Sequence, residues 1–76
     1  MLHRDEWREA LSLREFEVAL LVAEGASNKQ VARQLGLSEG TIKMHVRNAL
    51  RKVGASRRYG LIKLGASPDA ATQSVA

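Results

Sequence analysis

Apolar residues recur at helical spacing in four stretches of the chain, and each stretch is bounded by residues that start and stop helices. The first predicted helix follows an S-x-x-E capping sequence at Ser12 and runs to about Glu24, where Gly25 supplies a left-handed stop. The apolar positions of this helix are spaced so that they fall on one face. That inward face is expected to consist of Val18, Ala19, Leu21 and Val22.

A second and a third helix are predicted on either side of a tight turn. An S-x-x-Q capping sequence at Ser27 starts a short helix over residues 28–35, and Gly36 ends it. Leu37 follows at the position where the apolar contact of a Schellman turn falls. Ser38 then caps the third helix.

The third helix is predicted to run from Ser38 to about Val53, and a fourth helix follows it. Ser56 is expected to cap this fourth helix, which extends to about Leu64. Gly60 lies inside it, where a glycine weakens a helix by about 0.5–1 kcal/mol relative to alanine. No strand is predicted, so the expected fold is all-α, a four-helix, bundle-like helix-turn-helix domain.

The four predicted helices occupy residues 11–64 and leave a segment at each end of the chain. Residues 1–10 are largely polar apart from Leu2 and Trp7, and we expect them to form a linker or a short extra helix. Residues 65–76 have no periodicity, and we expect them to form a flexible tail. The 76 residues are therefore expected to make one small domain, because domains rarely contain fewer than about 50 residues.

The composition argues against several classes of protein. The chain contains no cysteine, so neither a disulfide scaffold nor a zinc finger is expected. No apolar run approaches the roughly 20 residues of a membrane span, and the N-terminus has no apolar signal core, so we predict a cytoplasmic protein without membrane contact. The sequence has no evident metal-ligand set, clustered carboxylates or phosphate-binding glycine loop. We therefore expect no enzymatic activity, no cofactor and no metal.

Positive charge is concentrated in the middle of the chain. Residues 1–28 hold three basic and six acidic side chains, whereas residues 29–58 hold eight basic side chains and one acidic side chain. A segment this basic favours a polyanion such as nucleic acid as the partner. The alternative is that these charges only form a solvated surface, as charged residues on helices often do.

The third predicted helix has two opposite faces. Lys43, Arg47 and Arg51 follow one another at spacings of four residues and fall within about 80° of one another around the helix. A helix with an apolar face and a basic face can pack on its own domain and also lie in the major groove of double-stranded DNA. The apolar face consists of Ile42, Val46, Ala49, Leu50 and Val53.

Individual side chains of this helix suit different parts of DNA. Lys43 and Arg47 can donate hydrogen bonds to guanine O6 and N7, and Met44 can contact a thymine methyl group. These three residues are the predicted base contacts. The predicted phosphate contacts are polar or basic side chains near helix starts or further along this helix: Asn28, Lys29, Thr41, Asn48 and Arg51.

Three stretches of the sequence share residues with a known DNA-binding domain. They include Leu11-Ser12 with Arg14-Glu15, Ala23-Glu24-Gly25 with Ser27-Asn28-Lys29, and the run Ser38-Glu39-Gly40-Thr41-Ile42-Lys43 with His45-Val46 and Asn48. Over about residues 11–62 the chain closely resembles the LuxR-type helix-turn-helix domain. This is the effector domain of NarL/FixJ-class response regulators and of quorum-sensing activators.

The resemblance implies a four-helix domain that binds double-stranded DNA as a homodimer and regulates transcription. In that family the positions that match Lys43, Met44 and Arg47 face the bases. The helix that matches residues 56–64 forms the dimer contact, and the interface would then include Val53, Tyr59, Leu61 and Ile62. The last two of these side chains could equally belong to the core of the domain.

Two features leave the partners open. Members of the family usually carry a receiver or ligand-binding domain, so the chain is compatible with an excised effector domain or a small stand-alone regulator. Leu13, Phe16 and Leu20 form an apolar stripe that Trp7 could cover, or that could contact a regulatory domain, a second protomer or RNA polymerase. The alternative functions are a sigma-factor promoter-reading domain and a protein-interaction module that heterodimerises with a full-length regulator.

Overall fold

The computed structural model of the protein describes residues 2–65, which form five helices. No strand occurs among these residues, so the all-α fold is confirmed. The flexible tail predicted for residues 65–76 lies outside the described residues except for Gly65, which ends the last helix. The helices are α1 (Arg4–Ala10), α2 (Leu13–Ala23), α3 (Asn28–Leu35), α4 (Glu39–Val53) and α5 (Arg58–Gly65).

The starts of α2, α3 and α4 are those predicted from their capping residues. Ser12 Oγ accepts a hydrogen bond from the backbone N–H of Glu15 at 3.2 Å, and Glu15 Oε1 accepts one from the backbone N–H of Ser12 at 2.9 Å. Ser27 and Gln30 form the same reciprocal pair at 3.1 and 2.8 Å, and Ser38 caps α4. Each cap satisfies backbone N–H groups that a helix start leaves without partners.

The turn between α3 and α4 is held by hydrogen bonds to a single carbonyl. Gly36 adopts a left-handed conformation with a φ of 68°, and its N–H donates to the Ala32 oxygen. The Leu37 N–H donates to the same oxygen at 2.9 Å, and the Leu37 side chain packs against the core. This Schellman-type turn sets the path of the chain into α4, so the helix-turn-helix predicted from the sequence is present.

The hydrophobic core surrounds α2, which contacts each of the other four helices. The predicted inward residues Val18, Ala19 and Val22 are fully buried, whereas Leu21 is half-buried at the edge of the core. The other buried apolar side chains come from the other four helices and from two connecting segments: Trp7, Leu11, Val31, Ala32, Ile42, Val46, Ala49, Val53, Ala55 and Leu61.

Of the two possibilities for the first ten residues, the structure has the extra helix. Trp7 of α1 is 0% exposed and is the largest fully buried side chain among the described residues. Its Nε1 donates a hydrogen bond to the Leu2 carbonyl at 3.1 Å, and the Leu2 N–H donates to the Val53 carbonyl at 2.8 Å. The N-terminal segment therefore closes the core and satisfies a carbonyl at the C-terminal end of α4.

The apolar stripe on α2 is only partly covered. Phe16 and Leu20 are half-buried and pack against the core, whereas Leu13 remains 76% exposed. Trp7 points into the core itself. The stripe thus begins with one exposed leucine at the first turn of α2.

The start of α5 differs from the prediction. The helix begins at Arg58, so Ser56 lies two residues before it and does not cap it. Packing explains why a glycine occupies position 60 despite its low helix propensity: a Cβ atom built at this position would lie 2.8 Å from the Cβ of Ala55. The absence of a side chain lets the first turn of α5 approach the segment that follows α4.

Replacing Gly60 by alanine is therefore expected to destabilise the protein, although the same change normally stabilises a helix. The added methyl group overlaps Ala55, and the resulting shift of α5 should lower the free energy of unfolding by about 1–3 kcal/mol. Gly40 in α4 is the matched control, because its nearest neighbour for a Cβ is Ser38 Oγ at 3.9 Å. Gly40→Ala should leave stability unchanged or raise it in urea denaturation. Equal effects of both substitutions would contradict this account of Gly60.

Candidate nucleic-acid interface

The helix α4 carries an exposed basic face opposite its buried apolar face. Lys43, Arg47 and Arg51 are exposed, and Met44 between them is 53% exposed. The structure therefore brings the three predicted base contacts and one predicted phosphate contact onto the accessible side of a single helix. The apolar face is anchored in the core by Ile42, Val46, Ala49 and Val53.

The cations on this face have no anionic partners within residues 2–65. Arg14 and Glu17 form an ion pair at 3.5 Å and Lys52 and Glu15 form one at 2.8 Å, and neither pair involves the exposed face of α4. Positive charge that is not paired internally remains available to attract a polyanion.

Lys52 differs from the other basic residues of α4 because it is used inside the protein. Its Nζ donates a hydrogen bond to Glu15 Oε1, which belongs to the cap of α2. Burial raises the pKa of the Glu15 carboxyl, but the hydrogen bonds from Lys52 and Ser12 and the positive charge of Lys52 outweigh it, so this pKa lies below the ordinary 4.5. Lys52 therefore ties α4 to α2 instead of contributing to the basic face.

Replacing Lys52 by methionine should lower the free energy of unfolding by about 1–3 kcal/mol near pH 7, because the buried Glu15 carboxylate loses a charged hydrogen-bond donor. A carboxyl group whose pKa is lower in the folded state than in the unfolded state stabilises the folded protein at pH values above its unfolded-state pKa. This stabilisation is lost as the pH falls through the folded-state pKa. The difference between wild type and variant should therefore shrink on acidification below about pH 4.5.

Urea denaturation between pH 3 and pH 7 measures this difference. The matched control is Arg14→Met, because the Arg14–Glu17 pair is exposed and such pairs contribute about 0–1 kcal/mol. A Lys52→Met effect that does not change with pH would contradict the assignment of this stability to the Lys52–Glu15 pair.

The predicted phosphate contacts outside the basic face have different surroundings. Lys29 is exposed in the first turn of α3. The hydroxyl groups of Thr41 and Ser38 share a hydrogen bond of 2.9 Å at the start of α4, and Asn48 is half-buried. Asn28 is also half-buried, and its Oδ1 accepts a hydrogen bond from Arg58 Nη1.

The contact between Asn28 and Arg58 was not predicted. Arg58 also donates from Nη2 to the Ala26 carbonyl at 2.7 Å, so one guanidinium joins the start of α5 to the start of α3. Periodicity and capping sequences describe neighbours along the chain, whereas these partners are 30 and 32 residues apart. No local signal in the sequence separates Arg58 from the exposed Arg57.

The predicted dimer residues divide into two groups. Val53 and Leu61 are 1% and 0% exposed, so their side chains belong to the core of the protomer and offer no surface to a partner. Tyr59 is 68% exposed and Ile62 is 36% exposed, and both lie on α5. The expectation for Val53 and Leu61 is corrected accordingly, because both lie in the core, and only Tyr59 and Ile62 of the four residues remain exposed.

Within the part of the chain that the structure describes, no helix has the length and apolar character needed to cross a bilayer. Over residues 9–64 the chain matches the family described as "Bacterial regulatory proteins, luxR family". The matched range includes α2 to α4, most of α5 and the last residues of α1.

Similar proteins are named as response regulators and as a transcriptional activator. A nitrate/nitrite response regulator protein homolog of Haemophilus influenzae is 46% identical over 56 residues, which cover 74% of this chain and 27% of that protein. The transcriptional activator protein CarR of Pectobacterium carotovorum is 50% identical over 61 residues, which cover 78% and 25%. The nitrate/nitrite response regulator protein NarP of Escherichia coli is 48% identical over 48 residues, which cover 63% and 22%.

The chain spans about a quarter of the length of these relatives. The range matched by the family contains the helix-turn-helix described above, and domains of this family serve in DNA-binding regulation of transcription. The chain therefore belongs to the luxR family of bacterial regulatory proteins.

Proposed function

We propose that this chain binds specific DNA sequences as a dimer, with α4 in the major groove, and thereby regulates transcription. The observation that carries the proposal is the geometry of α4, because Lys43, Met44 and Arg47 are exposed while the opposite face is fixed in the core. The major groove is about 12 Å wide and admits one α-helix. A helix anchored on one side can present the other side to base edges at a defined angle.

Base recognition would come from three side chains of different chemistry. Lys43 and Arg47 donate hydrogen bonds to guanine O6 and N7, and the exposed Met44 contacts a thymine methyl group. Because Lys43 and Met44 are adjacent and Arg47 lies one turn further along, the three would read neighbouring base pairs.

Phosphate contacts would hold the domain in register on the duplex. Arg51 lies two turns beyond Lys43 on the basic face, and Lys29 lies in the first turn of α3, where the positive end of the helix dipole adds to its charge. Thr41, Asn48 and Asn28 would donate further hydrogen bonds to phosphate oxygens from uncharged side chains. Contacts of this kind increase affinity for all sequences alike.

Dimerisation would use the exposed surface of α5. Tyr59 and Ile62 are large side chains that stay accessible on this helix, and an aromatic residue at an interface adds contact area with little loss of conformational entropy. A two-fold dimer would present two copies of α4 to half-sites about one helical turn apart.

The regulatory context follows from the relatives, which are named as response regulators and transcriptional activators. A signal received by a separate regulatory domain would control DNA binding by this one, and contact with RNA polymerase would then change transcription. Binding to chromosomal DNA in bacteria takes place in the cytoplasm.

The test is selection of bound duplexes from a random DNA pool, followed by a mobility-shift titration with the enriched sequence. We expect an enriched two-fold-related motif and an affinity that falls steeply with salt, because Lys and Arg contacts release counterions from DNA. The absence of an enriched motif, together with the absence of a complex that resists competitor DNA, would refute the proposal.

A second candidate function is supported by Leu13. A leucine that is 76% exposed beside half-buried Phe16 and Leu20 is suited to contact with another protein. A module that acts by heterodimerising with a full-length regulator would bind that regulator through this stripe and would have no affinity for DNA. Capture of a full-length regulator, lost in Leu13→Ser, combined with a negative DNA selection would favour it.

A further inference from the structure

Arg58 is the first residue of α5, and its side chain contacts Asn28, the first residue of α3. Its Nη1 donates to Asn28 Oδ1, and its Nη2 donates to the Ala26 carbonyl at 2.7 Å, so the planar guanidinium spans two acceptors. Arginine can hold two acceptors in fixed geometry because its donors lie in one rigid plane. The contact therefore determines where the start of α3 lies relative to α5.

The same contact determines which way the Asn28 amide is turned. A guanidinium has only donors, so the amide oxygen must face Arg58 and the amide nitrogen must face the other way. Within the described residues, Asn28 Nδ2 has no hydrogen-bond partner, so its two N–H donors are unused. Lys29, the next residue in the first turn of α3, is exposed.

The positive charge of Arg58 is not neutralised by this contact. Both of its acceptors are uncharged oxygens, and none of the ion pairs among residues 2–65 includes Arg58. The start of α3 therefore combines one unpaired cation, two oriented amide donors and the exposed Lys29. These groups together suit a phosphate oxygen.

We propose that Arg58 is a positioning residue for DNA binding: it turns the Asn28 amide so that its N–H groups face a backbone phosphate. This inference rests on the proposed function and assigns a role that the sequence did not indicate. Because Tyr59 follows Arg58 directly on α5, the contact also links the proposed dimer surface to a DNA-backbone contact on α3. Arg58 would thus act on DNA through Asn28.

The decisive experiment is a double-mutant cycle of Asn28→Ala and Arg58→Lys. Affinity for the most enriched duplex is measured by fluorescence anisotropy, after circular dichroism has established that each variant is folded. Asn28→Ala should weaken binding about tenfold, because one hydrogen bond to a charged phosphate is lost. Arg58→Lys should weaken binding by a similar factor in the presence of Asn28 and by less than about twofold in the Asn28→Ala background.

Asn28→Asp separates positioning from a purely structural role. The aspartate keeps an oxygen acceptor for Arg58 and suits the start of a helix, so the melting temperature should stay equal or rise. It has no N–H donor and repels phosphate, so binding should fall at least about tenfold. Arg57→Lys is the matched control, because Arg57 is the exposed neighbour of Arg58, and its effect should be the same in both Asn28 backgrounds.

The outcomes separate the two proposals. Equal losses from Arg58→Lys in both Asn28 backgrounds, or unchanged binding by Asn28→Asp, would overturn the positioning role while leaving sequence-specific binding intact. A wild-type chain that selects no duplex would overturn the proposed function and this inference together.

Discussion

Replacing Trp7 by alanine is expected to unfold most of the protein at 25 °C. Trp7 is the largest fully buried side chain among the described residues, and its indole N–H donates to the Leu2 carbonyl. Truncation of a buried tryptophan to alanine costs about 3–5 kcal/mol. A single core in a domain of this size supplies only about 3–5 kcal/mol of net stability, so the loss is comparable to the whole.

The substitution also removes a link between α1 and α4. The Leu2 backbone N–H that donates to the Val53 carbonyl is held in place by the segment that Trp7 anchors. Without the indole, α1 loses its main buried contact, and the C-terminal end of α4 loses a hydrogen-bond donor. Residues 2–8 lie outside the range matched by the family.

Urea denaturation followed by far-ultraviolet circular dichroism measures the effect, because the variant has no tryptophan to report by fluorescence. Trp7→Phe should retain part of the free energy of unfolding. It should therefore give a complete unfolding transition in urea even if Trp7→Ala is already unfolded without urea. Leu13→Ala is the surface control, and its effect should stay below about 0.5 kcal/mol. A Trp7→Ala variant with the wild-type midpoint would mean that α1 does not belong to the folded unit.

The parts of the fold that could be predicted are those determined by neighbours along the chain. The Ser12–Glu15 and Ser27–Gln30 capping boxes join residues three positions apart, so a four-residue sequence pattern is enough to identify each of them. The turn at Gly36 is equally local, because its hydrogen bonds reach back only four and five residues. These signals were enough to place α2, α3 and α4.

The parts that could not be predicted depend on packing between distant segments. Lys52 and Glu15 are separated by 37 residues, and nothing local distinguishes Lys52 from the exposed basic residues of α4. The sequence shows that Gly60 weakens a helix, but it does not show why a glycine is needed there. The need arises because the backbone of α5 at Gly60 lies too close to Ala55 to leave room for a Cβ atom. Whether residues 1–10 form a linker or a helix also depends on long-range packing, because it is the burial of Trp7 in the core that fixes this segment on the domain.

The candidate site divides in the same way. The exposed face of α4 follows from the period of the helix, so Lys43, Met44 and Arg47 could be identified as neighbours on one surface without coordinates. The residues assigned to the dimer surface could not be sorted by period alone, because α5 buries Leu61 and exposes Tyr59 and Ile62. Which face of a short helix is covered depends on the helices packed against it.

Lys43→Ala and Arg47→Ala are each expected to weaken binding to the selected duplex by about 1–3 kcal/mol, or roughly 5- to 150-fold, and to relax the base preference at the contacted positions. Both side chains are exposed and form no ion pair within the described residues, so the melting temperature should change little. The double variant should lose nearly the sum of the two effects, because the residues would contact different base pairs.

Arg51→Ala provides the comparison, because it lies on the same face but further from the start of α4. As a phosphate contact it should weaken specific and random duplexes by the same factor and reduce the salt dependence of binding by about one counterion. Anisotropy titrations with the selected duplex, single-base variants and a random duplex, repeated at several salt concentrations, measure all three variants together. If Lys43→Ala and Arg47→Ala weakened random DNA as much as the selected sequence, the two residues would be phosphate contacts, and base recognition would have to lie elsewhere.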